Sequence, residues 1–324
     1  MKRRTLIQAS IIAGLSTPSW TQAQGAWPDK PVKFVLSQPA GSGPDNVARI
    51  LADRLSRSLG QAIVIDNKPG GQNIIGAQAA ARSPADGYTF YFATTAALVT
   101  NSYLFRALTY DPQKDFTPVA FVGKSPFAVL VKADSPLSSM QDLITRSRAK
   151  PASLSLANEG PRAFGGLIAR VINARSMAQA NLVSYASVGV SVQDVLGGHA
   201  DAVVADLAST AQLVRQGKLR LLAVTTPKRI AGWEQVPALA EILPGFEMIG
   251  WFGVVAPTGT PQAIIARVNL EVSKILADRE IAERILTIGP IVESGAAPER
   301  FGAFLREEHQ RWGQIATEIG LLPE

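Results

Sequence analysis

Cysteine is absent from this 324-residue chain, and histidine occurs only at His199 and His309. Without cysteine there are no disulfides, thiol nucleophiles or thiolate metal sites, and two distant histidines make an imidazole metal cluster untenable. No Gly-x-Ser-x-Gly is present, which argues against an α/β-hydrolase. No Gly-Lys-Ser/Thr closes a glycine-rich turn, so a P-loop is excluded. The apolar run over residues 6–15 is shorter than the roughly 20 residues a membrane span needs. Charge of one sign is also scarce. The formal net charge is +6, and it drops to +3 if Lys2, Arg3 and Arg4 leave with a leader. That is too little to argue for nucleic acid or a membrane surface. Catalytic residues, metal and cofactor are all expected to be missing, and the chain reads as a binder rather than an enzyme.

What is present begins with that leader. Three basic residues precede the apolar run, and Thr21-Gln22-Ala23 offers small residues before a cut after Ala23, with Gly25 or Ala26 as alternatives. Arg3-Arg4-Thr5-Leu6-Ile7 also fits a twin-arginine signal. Sec and twin-arginine export both stay open, and either places the mature chain in the periplasm. A disulfide-free exported protein must rely on its core, and about 300 residues bury roughly three quarters of the unfolded surface.

Beyond the leader, strand and helix patterns alternate, which predicts a mostly parallel sheet with helices on its faces. Strands are expected over 32–36, 62–65 and 88–93, with helices over 45–59 and 74–82. Two β-rich runs, 119–123 and 127–131, flank a proline. A second block then alternates: helices over 138–150, 163–174, 190–196 and 208–216, the last closed by Gly217. Its strands fall over 154–157, 182–186, 200–206 and 219–225. A β-rich run over 249–256 follows, then a helix to 277 with Thr260 as N-cap and Pro261 in first position. Helices over 281–288 and 298–319 end the chain. The economical reading is two lobes, with the chain crossing into the second and back: 1–23 leader, 24–124 with 249–324 one lobe, 125–248 the other. A cleft between such lobes is a common ligand site.

The turn Gln38-Pro39-Ala40-Gly41-Ser42-Gly43-Pro44-Asp45-Asn46 links the first strand to the first helix. Free N–H groups and the positive helix end converge there, which suits an anion. Asn46 stands where a dinucleotide fingerprint wants its third glycine, so a small carboxylate fits better than a nucleotide phosphate. The alternative is a glycine-rich turn serving geometry alone.

Several segments, in this order and spacing, resemble the Bug-type extracytoplasmic solute receptors of tripartite tricarboxylate transporters. They include Trp27-Pro28-Asp29-Lys30-Pro31, the turn 41–49, Asn67-Lys68-Pro69-Gly70-Gly71 and Ala85-Asp86-Gly87-Tyr88-Thr89. They continue with Tyr110-Asp111-Pro112 through Val119, Asp194-Val195-Leu196-Gly197-Gly198, and Trp251-Phe252-Gly253. The resemblance implies a type II periplasmic-binding-protein fold: two α/β lobes, a hinge of two crossovers, and a ligand cleft between them. It implies a carboxylate held by backbone N–H groups of the first turn and of a second, Asn158-Glu159-Gly160-Pro161-Arg162-Ala163. It also implies a small organic acid or amino acid as ligand, a membrane permease as partner, and a monomer with no nucleic acid.

Departures from the family matter. Pro44 and Ala163 stand where hydroxyl residues are usual, Arg162 where glycine is common, Asp206 where asparagine is typical, and Ser37-Gln38 replaces a proline–aromatic pair. Arg162 is therefore expected to grip the carboxylate in place of the lost hydroxyls; the alternative is a solvent-facing arginine. Glu159 and Asp206 are candidate acceptors for an amine or hydroxyl, or else ordinary loop and cap carboxylates. The expected lining is Ser37, Gln38, Ala40, Gly41, Ser42, Gly43, Asp45, Thr94, Thr95, Glu159, Gly160, Arg162, Ala163, Ser187 and Asp206. Trp251 and Phe252 are assigned to the core, and His199 to the surface. Two other outputs stay open: a co-receptor for a membrane sensor, or an exported enzyme acting on a carboxylic acid.

Overall fold

Two mixed sheets are built by the alternating pattern, and in the computed structural model, which describes residues 27–324, they face each other across a cavity. The expected leader and its cleavage site lie outside the described residues. The first stretch contributes β1 (Val32–Leu36), α1 (Gly43–Leu59), β2 (Ile63–Asn67), α2 (Ile74–Ala81), β3 (Thr89–Thr94), α3 (Asn101–Leu104) and β4 (Phe116–Ser125). The chain then builds β5 (Phe127–Lys132), α4 (Met140–Ala149), β6 (Ser155–Asn158), α5 (Phe164–Ser176) and β7 (Asn181–Ser184). α6 (Val188–Gly197), β8 (Ala202–Asp206), α7 (Leu207–Arg215) and β9 (Leu219–Val224) follow. It returns through β10 (Gly250–Pro257), α8 (Gln262–Ala277), α9 (Arg279–Thr287), β11 (Ile291–Val292) and α10 (Pro298–Glu318).

The strand orders are β11-β4-β10-β3-β1-β2 and β7-β6-β8-β5-β9. The expectation of mostly parallel sheets is corrected here. β1 pairs in parallel with β2 and β3, and β6 with β7 and β8, but every pairing of β4, β5 and β10 is antiparallel. These are the strands that carry the chain between sheets. β4 and β5 are separated by Pro126 alone, so the chain leaves one sheet and enters the other without an intervening helix.

Each helix buries the stripe its periodicity marks. On α1, Val47, Leu51 and Leu55 are fully buried against β1 and its neighbours, each contributing about 1.5–3 kcal/mol of hydrophobic stabilisation. Gly60 ends the helix in the left-handed conformation, φ 71°. α8 begins one residue later than expected. Thr260 is buried and donates its hydroxyl to the Pro257 carbonyl at 2.7 Å, so it does not cap the helix. The helical stretch Ala96–Leu104, a π-type turn running into α3, was not foreseen; its Ala-Ala-Leu-Val-Thr start mimics a continuing strand. One apolar cluster joins the sheets, from Tyr91, Trp251 and Phe301 through Trp312 to Phe164 and Phe127.

Candidate functional site

A cavity of about 510 Å³ lies between the sheets, walled by the C-terminal ends of β1, β3, β6 and β8 and the helix starts that follow. Strand ends and helix N-termini gather in one place because α/β connections leave the C-terminal edge of parallel strands.

The first turn leads from β1 into α1. Gly41 takes φ 81° and gives its N–H to the Asp45 carboxylate at 2.8 Å. Asp45 also accepts from Arg49 (2.8 Å) and Asn67 (2.9 Å). Burial opposes its ionisation, but these hydrogen bonds outweigh it and hold the carboxyl below the usual range. Ser42 occupies the N-cap without capping; its hydroxyl donates to the Pro39 carbonyl at 2.7 Å. The start of α1 therefore meets the cavity at Ser42, Gly43 and Pro44 without a cap from its own N-cap side chain.

The second turn leads from β6 into α5, and Ala163 at its N-cap has no side chain able to cap. Gly160 takes φ 126° and donates to Asn158 Oδ1 at 3.0 Å. Gly166 lets α5 close on this turn, since a Cβ there would sit 2.0 Å from the Gly160 carbonyl oxygen. Glu159 folds back over the helix start: Oε1 accepts from the Gly165 N–H at 2.9 Å, while Oε2 is enclosed and has no partner. Two further helix starts on the cavity, those of α6 and α7, are capped. Ser187 accepts from Val190 N–H, and Asp206 from the Ser209 N–H at 2.9 Å.

Glu159 and Asp206 are the only ionisable side chains on the wall among the described residues, and no lysine, arginine or histidine lines it. Burial pushes Glu159 up to about 7, with the Asp206 charge adding to the rise and the Gly165 N–H opposing it. Burial also raises Asp206, against the pull of Ser209.

Of the expected residues, Ser37, Gln38, Ser42, Gly43, Thr94, Thr95, Glu159, Ala163, Ser187 and Asp206 border the cavity. Besides Ser42 and Ser187, two more of these hydroxyls are already engaged: Ser37 with Asn73 O and Tyr91 Oη, and Thr95 with the Trp251 N–H at 2.9 Å. Ala40, Gly41, Asp45 and Gly160 shape the turns without bordering the cavity. Arg162 corrects the expectation of a carboxylate grip. It pairs with Glu324, lies over the Phe105 ring at 5.8 Å, and points out of the cleft. Position along the turn decides this, since Glu159 and Ala163 take the inward places. His199 is exposed, and Trp251 and Phe252 are core residues whose edges also form wall.

The turn 69–73 was missed as wall, together with Phe127, Phe164 and Ser209. Gln72 and Asn73 adopt positive φ, 53° and 74°, and Asn73 Oδ1 accepts from Gln38 Nε2 at 2.8 Å. The legible signal was the turn cluster after β2, beside β1 at the same strand edge.

The family model described as the tripartite tricarboxylate transporter family receptor matches residues 47–321. The chain belongs to this receptor family. A UPF0065 protein of Bordetella bronchiseptica is 34% identical over 320 residues, covering 99% of this chain and 94% of that protein. An R. palustris protein solved with adipate superposes with TM-score 0.87 at 32% identity, over 92% of this chain and all of that one. The periplasmic binding protein BugD superposes with TM-score 0.84 at 28% identity, over 92% of this chain and 100% of that one. The receptor thus has the type II periplasmic-binding-protein fold of its Bug and TctC relatives, which are binding proteins and not enzymes. No helix among the described residues is long and apolar enough to cross a membrane.

Proposed function

We propose that this receptor works in the periplasm as a monomer, capturing a small carboxylate-bearing molecule and handing it to the membrane permease of a tripartite tricarboxylate transporter. The observation that carries this reading is a pair of helix starts whose N-cap residues place no side chain on their N–H groups, α1 from the first sheet and α5 from the second, at one cavity. Helix N-termini bind anions through free N–H groups and the dipole, so no side-chain cation is needed. The proposed carboxylate contacts are the N–H groups of Gly43 and Phe164, since those of Ser42 and Ala163 already donate to the Pro39 and Gly160 carbonyls. One contact comes from each side, so the solute bridges the lobes. Only contacts absent from an open form can drive closure. The crossings at Pro126 and between β9 and β10 are the proposed hinge, with 24–124 and 249–324 turning against 125–248. The adipate of the R. palustris relative and the periplasmic setting of BugD support the ligand class and the compartment.

A thermal-shift screen of dicarboxylates, aromatic acids and amino acids tests this. A true ligand at 100 times its dissociation constant stabilises the folded state by about 2.7 kcal/mol. A panel of that breadth with no stabiliser refutes the proposal.

A further inference from the structure

The α1 and α5 helix starts account for a carboxylate, but they leave part of the cavity wall without a role. Two oxygens on that wall are enclosed and have no donor: Glu159 Oε2, from the second-sheet side, and Gln38 Oε1, from the first. Neither is free to turn away. Glu159 is held through Oε1 by the Gly165 N–H at 2.9 Å, and Gln38 donates through Nε2 to Asn73 Oδ1 at 2.8 Å. Asp206 adds a second carboxylate, and no cationic side chain lines the cavity among the described residues. A buried acceptor without a donor is costly, and a buried carboxylate without a counter-charge more so. The wall is therefore complementary to a group that is positive and rich in N–H donors.

We infer that the ligand is an acid that also carries a protonated amine, and that Glu159, with Gln38 beside the first turn, selects for that ammonium group. This rests on the carboxylate reading of the same cleft. An ammonium supplies three donors and a full charge, whereas a hydroxyl supplies one donor and no charge. An ammonium that reaches both acceptors engages both lobes and so favours the closed form over the open one.

The discriminating measurement is calorimetric titration of matched pairs: aspartate against succinate, glutamate against glutarate, 2-aminoadipate against adipate. The amino member of at least one pair is expected to bind tenfold or more tightly than its partner. In Glu159→Gln that ratio should shrink to within threefold, because the amide carries no charge. The wild-type protein offers a second readout that needs no variant. Glu159 titrates near 7 with burial as the main cause. Asp206 is the other charged group facing it; α5 and α6 present no charged side chain to the cavity, and Arg162 is turned out onto Glu324. An ammonium prefers the ionised carboxylate, so affinity for the amino acid should rise from pH 6 to pH 8. A plain dicarboxylate prefers the protonated form and gives the opposite slope. Plain acids that bind as tightly as their amino partners, or a ratio untouched by Glu159→Gln, overturn the inference while leaving the carboxylate reading intact. A complete panel in which neither kind of acid binds overturns both.

Discussion

Glu159 and Asp45 are acidic residues at matching turns, and their surroundings send them in opposite directions. Asp45 is surrounded by donors and held ionised, and it braces the first turn. Glu159 has one donor and is pushed up to about 7 by burial. Its unfolded carboxyl titrates near 4.5, so between these values the folded state holds the extra proton. Stability of the unliganded protein should therefore be highest at the acid end of that window and fall as pH rises through it. The loss is on the order of 1–3 kcal/mol. Urea unfolding across pH 5–8 measures it, and Glu159→Gln should flatten the slope; an unchanged slope in the variant places the effect elsewhere.

At the scale of elements, glycine sets how closely helix starts approach one another. Gly43, at the head of α1, faces the head of α7 across the cleft: a Cβ there would lie 2.6 Å from Ala208 Cβ and 2.9 Å from Asp206 Oδ1. The contact joins the two sheets' layers, so an added methyl opposes closure more than folding. Overpacking of this kind costs about 1–3 kcal/mol, and Gly43→Ala is expected to weaken ligand binding by roughly five- to hundredfold. Denaturant unfolding of the unliganded variant should stay near wild type. Equal losses in both measurements would mean that this contact belongs to the folded core and not to a closing cleft.

Across the whole molecule, α10 and the chain end tie the lobes together. Arg175 forms a two-pronged pair with Glu318 at 2.7 and 2.8 Å, Arg170 donates to the Ile319 carbonyl at 3.0 Å, and Arg162 meets Glu324. The Glu324 end of the last pair is well exposed, and such pairs contribute about 0–1 kcal/mol. Arg162→Ala should therefore change ligand affinity by less than about fivefold. A loss beyond tenfold in calorimetry would return Arg162 to the ligand. A single apolar cluster running through both sheets makes the lobes one cooperative body at rest, with the crossings near Pro126 and ahead of β10 as the places left to bend.

Local chemistry was enough to locate most elements and both turns. Apolar periodicity marked α1 and the strands beside it, and glycine at 41 and 160 announced turns that only positive φ can make. Family membership followed from the order of such pieces. Local chemistry also misjudged Thr260, whose hydroxyl goes to a buried carbonyl, and the helix over Ala96–Leu104, whose composition mimics a strand. The direction of each side chain was settled only in three dimensions. Asp45 turns inward to its own turn, Arg162 outward to the far end of the chain, and Glu159 over a helix start where no donor awaits one of its oxygens. The reason is physical: spacing along a chain encodes which residues share a strand or helix, whereas the partner that meets a side chain arrives from a distant segment through packing.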